Sequence, residues 1–294
     1  MSELLRRYGM GLSGLFVMLT AFWLLMLVVL PDLFLFENSF RPYLPVVDVG
    51  GPLDVYSFSN YMSFVRSPIH IKVFGLTVLY SSIVTLVCFA LSYPLAYYLA
   101  KICNPRSVTT LFLIILIPLW VSEILRSFAL FIILSFKGPL NMSLIGLGII
   151  QDPIRWTTAY QSVMIGLVYV YVLFMLFPIY NAIQSLDSNQ IEAARDLGSP
   201  WWRTHWRVIM PHSKPGIASG CVMVFMLSAS SLFVPTLLAS TTSRWFTEII
   251  QQWMFESQDW NTGAAYAFLL LLLCIFFVSM MMRAFRVSLA DIAK

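Results

Sequence analysis

Charged residues are scarce in this chain of 294 residues: they make up 11% of it, whereas hydrophobic residues make up 59%. Soluble globular domains carry about 25% charged residues, so an ordinary soluble domain is excluded. The mean hydropathy of +0.81 indicates an integral membrane protein instead. The net charge of +4 does not come from one basic patch, so we expect no nucleic-acid partner.

Cysteine and histidine are also few, and neither forms a site motif. The four cysteines lie in or at the inner edge of apolar segments, so no disulfide framework is implied. The three histidines are isolated, and neither a metal-ligand spacing nor a nucleophile motif is present. A glycine-rich phosphate loop of the Walker A type is missing too. The sequence therefore predicts no catalytic residue, no cofactor, no metal, and no ATP hydrolysis by this chain alone.

Long apolar runs take the place of charge, and six of them have about the length needed to cross a bilayer, which is about 20 residues. The first is expected to be a retained span, because it is longer than a signal-peptide core and no small-residue cleavage site follows it. The region 136–158 is broken by glycine and proline and is expected to form an outer-surface helix and turn. We therefore predict an all-α membrane protein with one transmembrane domain over 1–294. The predicted spans are 10–30, 71–100, 108–134, 159–180, 216–238 and 263–282.

The charges between these spans indicate the orientation of the chain. With six spans, both termini lie on one side of the membrane. Basic residues outnumber acidic ones on that side, whereas acidic residues outnumber basic ones on the other. Because cytoplasmic loops carry the excess of Lys and Arg, both termini are predicted to be cytoplasmic.

The longest polar stretch late in the chain, 187–217, lies between the fourth and fifth predicted spans on the cytoplasmic side. Asp187 or Ser188 is expected to cap a helix over 190–197, because its side-chain oxygen can accept from first-turn amides. Gly198 follows where the chain must adopt a positive φ, which glycine does at little cost.

A second helix is predicted directly after this turn. Ser199 is expected to be its N-cap and Pro200 its first helical residue, and the helix should end near Pro211. On the first helix, helical spacing predicts an apolar face and a charged face. The apolar face has Ile191, Ala194 and Leu197, and the charged face has Glu192, Arg195 and Asp196.

The residues Glu192-Ala193-Ala194, Gly198 and Ile209-Met210-Pro211 resemble the EAA signature of the permeases of binding-protein-dependent ABC importers; Met210 stands where that family favours leucine. The resemblance implies a type I importer permease fold in a bacterial inner membrane. It also implies three partners: a cytoplasmic ABC ATPase dimer, a second homologous permease subunit and an extracytoplasmic solute-binding protein. The segment 190–198 would be the coupling helix that docks on the ATPase. The implied coupling residues are Ile191, Glu192, Ala193, Ala194, Leu197 and Gly198.

Further segments are similar to the first permease subunit of spermidine/putrescine-type importers. They are PLWVSEILRSFALFIIL at 118–134, GPLN at 138–141 and the run from 166 into the EAA stretch. The resemblance implies a polyamine substrate, although importers of opines, amino-acid derivatives, thiamine, phosphonate or ferric iron share much of the pattern. A secondary transporter without an ATPase is the alternative from another class; it is disfavoured because only one intramembrane ion pair and no internal repeat are found.

Glu123 and Arg126 are the only charges predicted within a span. Their spacing of three places them on nearly the same helical face, so we expect them to pair with each other. One interpretation is a structural pair near the outer end of the span. The other is that both residues line the translocation path with Trp120, one turn away, and that Glu123 attracts a cationic substrate.

Overall fold

A computed structural model describes residues 2–44, 51–52, 54–158, 160–240 and 243–286, and every regular element in these ranges is a helix. This confirms the all-α fold. Four π-helical turns (Leu25–Val29, Tyr98–Ile102, His205–Ile209 and Gln252–Glu256) and a 3-10 turn, Trp156–Thr158, join some of the α-helices. The α-helices are α1 Ser2–Leu24, α2 Leu30–Ser39, α3 Ser59–Arg66, α4 Pro68–Tyr97, α5 Pro105–Trp120, α6 Glu123–Leu134, α7 Pro139–Gly146, α8 Tyr160–Gln184, α9 Ser188–Asp196, α10 Trp201–Thr204, α11 Met210–His212, α12 Lys214–Ser230, α13 Phe233–Leu238, α14 Phe246–Gln251 and α15 Trp260–Phe285.

Five stretches in the described ranges are long and apolar enough to cross a membrane: Gly14–Ser39, Pro68–Ile102, Glu123–Gly146, Tyr160–Gln184 and Trp260–Phe285. Two shorter apolar helices, Arg106–Trp120 and Lys214–Ser230, lie in the third and fifth predicted spans. The six predicted spans are therefore all represented by apolar helices, but two of them are interrupted.

The third predicted span, 108–134, is not one continuous helix. It breaks at Val121 and Ser122, whose ψ angles of 132° and 142° are those of extended backbone. Pro118 lies inside α5, which continues through it to Trp120, whereas a β-branched residue followed by serine adds little helix propensity. The expected single helix is therefore replaced by α5 and α6.

The fifth predicted span, 216–238, breaks in the same way at Ser231, which has φ −62° and ψ 134°. Pro235 lies four residues later and has no N–H to donate to the Ser231 carbonyl. That carbonyl accepts a hydrogen bond from the Thr247 hydroxyl at 2.6 Å instead. The break thus follows from the proline and is satisfied by a side chain distant in sequence.

The chain divides into two compact units, and the prediction of one domain over 1–294 stays a prediction. The first unit comprises Met1–Pro68 and Ile250–Leu269. Arg41 organises part of it, because its guanidinium binds Glu37 at 2.6 Å and Asp54 at 2.8 Å. Asn60 donates to the carbonyls of Ser39 and Arg41, both at 2.9 Å.

The second unit comprises Ile69–Ile249 and Leu270–Lys294, and the close pair α8 and α12 lies at its core. Two glycines of α12 permit the approach. A Cβ on Gly216 would come within 2.4 Å of the Pro178 carbonyl oxygen and 2.5 Å of the Ala182 Cβ, and one on Gly220 within 2.6 Å of the Met175 sulfur. Small residues four apart allow membrane helices to pack backbone against backbone. These two helices lead into and out of the polar stretch 187–217.

The region 136–158 contains a helix and a turn, as predicted, and both are held by one buried amide. The Asn141 Nδ2 donates to the carbonyls of Phe136 at 3.0 Å and Ile154 at 2.8 Å. Its Oδ1 accepts from the Ile154 N–H at 3.2 Å and from the Trp156 indole at 3.1 Å. A single polar side chain therefore satisfies several loop groups around α7.

Candidate functional site

The first helix of the polar stretch, α9, has the predicted N-cap, but it begins at Ser188, two residues before the predicted start at Gln190. The Asp187 side chain accepts a hydrogen bond from the Asn189 backbone N–H at 3.0 Å. Asp187 itself has extended backbone, with φ −65° and ψ 125°. The N-cap is therefore confirmed, and it satisfies one of the first-turn donors that the helix itself leaves unpaired.

The end of α9 is also as predicted, because Gly198 has a φ of +75°. Its N–H donates to the Arg195 carbonyl at 2.8 Å, and the Ser199 N–H donates to the Ala194 carbonyl at 3.0 Å. These two bonds together form a Schellman motif. They fix the angle at which the chain leaves the helix.

The second helix starts one residue later than predicted. Its N-cap is Pro200, and its first residue is Trp201. The Ser199 N–H closes the preceding turn, and the Ser199 hydroxyl accepts from the Thr204 hydroxyl at 3.4 Å instead of from a backbone amide. Helical structure then continues through the π turn to His212, one residue beyond the Pro211 expected as its end.

The predicted apolar face of α9 is divided in the structure. Ile191 is buried in the core of its own unit, with 5% of its surface exposed, whereas Leu197 is 88% exposed. Six residues at about 100° each place Leu197 about 120° around the axis from Ile191, so the two cannot share one narrow face. Ala194 is half-buried, and Glu192 and Ala193 are exposed.

Two side-chain contacts hold the start and end of the polar stretch to the ends of neighbouring spans. The Lys101 ammonium, which follows α4, donates to the Leu186 carbonyl and, at 3.5 Å, to the Gln184 carbonyl. A cation is favourable at these terminal carbonyls of α8. The His212 Nε2 lies 3.1 Å from the Ser185 hydroxyl. Sequence reasoning missed both contacts, because each joins residues far apart in the chain.

His205 anchors the second helix, although it is isolated in the sequence. Its Nδ1 lies 3.0 Å from the Tyr93 hydroxyl, and its ring contacts those of Tyr97 and Trp201 edge-on at 4.5 and 5.8 Å between centroids. Burial and the nearby Arg195 guanidinium lower the pKa of His205 below its usual value. This shift favours the neutral imidazole. The sequence contained one signal for this contact: Tyr93 and Tyr97 are four residues apart, which places them on one face of α4.

Glu123 lies at the helix break with hydroxyls from two other segments. Its Oε1 accepts from the Tyr171 hydroxyl at 2.9 Å and from the Ser231 hydroxyl at 3.4 Å. Tyr171 belongs to α8, and Ser231 is the residue at which the fifth predicted span breaks. The carboxylate thus lies where both interrupted spans meet α8.

The predicted pairing of Glu123 with Arg126 is wrong: the described residues contain no ion pair between them. Arg126 is buried, and its Nη1 donates to the Val170 carbonyl at 3.2 Å, while its Nε has no partner among the described atoms. The two side chains are separated because Glu123 is held by hydroxyls and Arg126 by a backbone carbonyl. Trp120 is 90% exposed and ends α5, so the break rather than a helical turn separates it from Glu123.

No group of three His, Cys, Asp or Glu side chains in the described ranges is placed to hold a metal ion. The contacts described above define two candidate sites in the second unit. One is the helix-turn-helix of α9 to α11, with exposed Glu192, Ala193 and Leu197. The other is the Glu123 cluster between the two broken spans.

Comparison with known proteins gives a consistent result. The family profile "Binding-protein-dependent transport system inner membrane component" matches residues 92–286, which include both sites. The chain is 36% identical over 244 residues to the spermidine/putrescine transport system permease protein PotB of Escherichia coli K12, covering 83% of this chain and 86% of that protein. The protein of the same name from Haemophilus influenzae is 30% identical over 262 residues, covering 89% and 90%.

Among solved structures, a chain of a bacterial alginate ABC transporter in complex with an alginate-pentasaccharide-bound periplasmic protein has a TM-score of 0.75. The match covers 98% of this chain and 99% of that chain, at 17% identity. A chain of the MetNI methionine ABC transporter in an inward-facing conformation gives a TM-score of 0.51 at 14% identity, covering 75% and 98%. At these identities the likeness concerns the fold alone.

Proposed function

The chain belongs to the family of inner membrane components of binding-protein-dependent transport systems, so it is a permease subunit of an ABC importer, and we propose that it carries the polyamines spermidine and putrescine. The observation that carries this proposal is the similarity, over more than four-fifths of the chain, to permeases named for these two solutes. Polyamines are cations at pH 7, because primary amines have pKa values near 10. A carboxylate in the path would attract them.

We assign coupling to the exposed residues of α9 and to its C-cap, Leu197. Glu192, Ala193 and Leu197 face away from the chain's own core and are available to a cytoplasmic ATPase dimer, which would supply the ATP hydrolysis. Ile191 instead anchors α9 from beneath. The cap at Asp187 and the turn at Gly198 fix both ends of α9. Because the helix would then move as a rigid element, it would transmit movement of the ATPase to α8 and α12.

The same proposal gives the remaining partners and the orientation. A second homologous permease subunit would enclose the path, and an extracytoplasmic solute-binding protein would deliver the polyamine. Both termini would be cytoplasmic, as the distribution of Lys and Arg indicates. The 1–294 chain would then act as one permease domain, with 187–217 as its cytoplasmic coupling element.

We assign the Glu123 cluster to the translocation path. The Glu123 carboxylate is partly exposed, and its two hydroxyl partners come from two other segments of the chain. Interrupted helices at membrane depth occur where they are buried in protein or line a cavity. Arg126 is buried and donates to the Val170 carbonyl, so we assign it a positioning role. The exposed ring of Trp120 could offer a cation–π face to an ammonium group.

ATP-driven uptake into proteoliposomes tests this function. The permease would be reconstituted with its ATPase, its permease partner and its solute-binding protein, and labelled spermidine, putrescine and thiamine would each be supplied outside. We expect uptake of the two polyamines that requires internal ATP. Transport of thiamine, with neither polyamine transported, would contradict the polyamine assignment but leave the importer class intact.

A further inference from the structure

The second unit contains an apolar groove that has no part in the proposed transport path. Its volume is about 600 Å³, and it lies between α4, the start of α12 and the last turns of α15. Each helix contributes large apolar or small side chains to its wall. The wall includes Leu86 and Phe89 of α4, Ile217 and Cys221 of α12, and Phe277 and Met281 of α15.

The length of the groove is about two-thirds to four-fifths of the thickness of one bilayer leaflet. The lining residues of α12 extend from Lys214 to Cys221 and those of α15 from Phe277 to Phe285, which are about 10 and 12 Å at 1.5 Å per residue. One leaflet of hydrocarbon is about 15 Å thick. A lipid acyl chain that entered from the cytoplasmic end would therefore be covered over most of its length.

The interior of the groove contains the hydroxyls of Ser82 and Thr85, and both already donate hydrogen bonds within the protein. The Ser82 hydroxyl donates to the Val78 carbonyl and the Thr85 hydroxyl to the Ser81 carbonyl, both at 2.8 Å within α4. The groove therefore offers apolar surface with no polar group that requires a ligand. Its occupant should be a hydrocarbon chain rather than a polar solute.

The cytoplasmic mouth of the groove has the opposite character. Lys214 lines it and is exposed, and among the described residues no carboxylate lies within 4.0 Å of its ammonium. Trp206 also lines the mouth and is 66% exposed. Tryptophan is enriched at the membrane interface, and a lysine at the cytoplasmic surface attracts an anionic headgroup.

We propose that this groove binds one anionic phospholipid of the cytoplasmic leaflet, with an acyl chain along α12 and the headgroup phosphate on Lys214. The inference rests on the proposed function only for the cytoplasmic orientation of this end. Trp206, Met210 and Pro211 at the mouth belong to the second helix of the coupling element. A bound lipid would therefore brace that element against the spans.

Lipid titration of the purified, complete transporter complex tests the site without any substrate. Phosphatidylglycerol and phosphatidylcholine would each be added in detergent, and bound lipid measured by native mass spectrometry. We expect Lys214→Ala to weaken phosphatidylglycerol binding about fivefold, since one lysine near an anionic lipid contributes about 1 kcal/mol. Lys72→Ala removes an exposed lysine near the start of α4, ten residues before Ser82, the first residue of α4 that lines the groove, and should not change lipid binding.

A second pair of variants tests the groove itself. Leu86 is 66% exposed and lines the groove, whereas Leu91 is 53% exposed on the same helix and does not line it. Leu86→Trp should fill the space and reduce phosphatidylglycerol binding, and Leu91→Trp should not. Equal binding by Lys214→Ala and Lys72→Ala would overturn the proposal. So would unchanged lipid binding in Leu86→Trp together with loss of a partner subunit, because the occupant would then be a polypeptide.

Discussion

Replacing Gly198 by valine should uncouple the transporter without unfolding it. The φ of +75° at this residue is costly for a side chain with a Cβ, by about 1–2 kcal/mol, and more for a β-branched one. A Cβ there would meet no atom within 4 Å, so the cost comes from the backbone and not from a clash. The population of this turn relative to other backbone conformations would therefore fall about five- to thirtyfold.

The two hydrogen bonds that depend on this turn show what would change. They join Gly198 to Arg195 and Ser199 to Ala194. When they open, the last turn of α9 frays and Leu197 loses its fixed position, while the buried Ile191 keeps the start of the helix in place. We therefore expect normal amounts of protein in the membrane and a loss of ATP-driven uptake.

Uptake of labelled spermidine and ATP hydrolysis would be measured on the same reconstituted complex. Gly198→Asn is the matched control, because asparagine tolerates the left-handed region far better than valine. It should retain most of the uptake, whereas Gly198→Val should lose at least four-fifths. Full uptake by the valine variant, or equal losses by both variants, would refute the argument from the turn.

Three further predictions concern other parts of the chain. Glu123→Gln should raise the KM for a cationic substrate about tenfold at unchanged protein level, because a charge-assisted contact contributes about 1.5 kcal/mol; unchanged uptake kinetics would support a purely structural role. Gly216→Leu should destabilise the α8–α12 pair by about 3 kcal/mol, seen as a lower melting temperature, whereas an unaltered melting temperature would argue against the close helix approach. Single cysteines at Gly50, which lies outside the described residues, and at Ser199 should differ in labelling by an impermeant thiol reagent on intact cells, and equal labelling would contradict the orientation.

The amino-acid sequence by itself determined the features that depend on neighbouring residues. Hydropathy and length predicted the helical membrane fold, because a backbone in lipid must satisfy its own hydrogen bonds. The cap at Asp187 and the positive φ at Gly198 were predicted correctly, because both depend on conformational preferences of one residue and its chain neighbours. The EAA signature led to the family for the same reason: its residues all lie within the short stretch 192–211.

Only the tertiary structure decided which distant groups meet. It decided the burial along α9, where Ile191 is buried and Leu197 is exposed, because burial depends on where the helix rests against the core. Glu123 binds hydroxyls of Tyr171 and Ser231 instead of Arg126, because those oxygens lie within about 3.5 Å and adjacent spans bring them there. Hydrogen bonds extend only about 3 Å, so a residue's partner is set by the packing of spans rather than by its spacing along the chain.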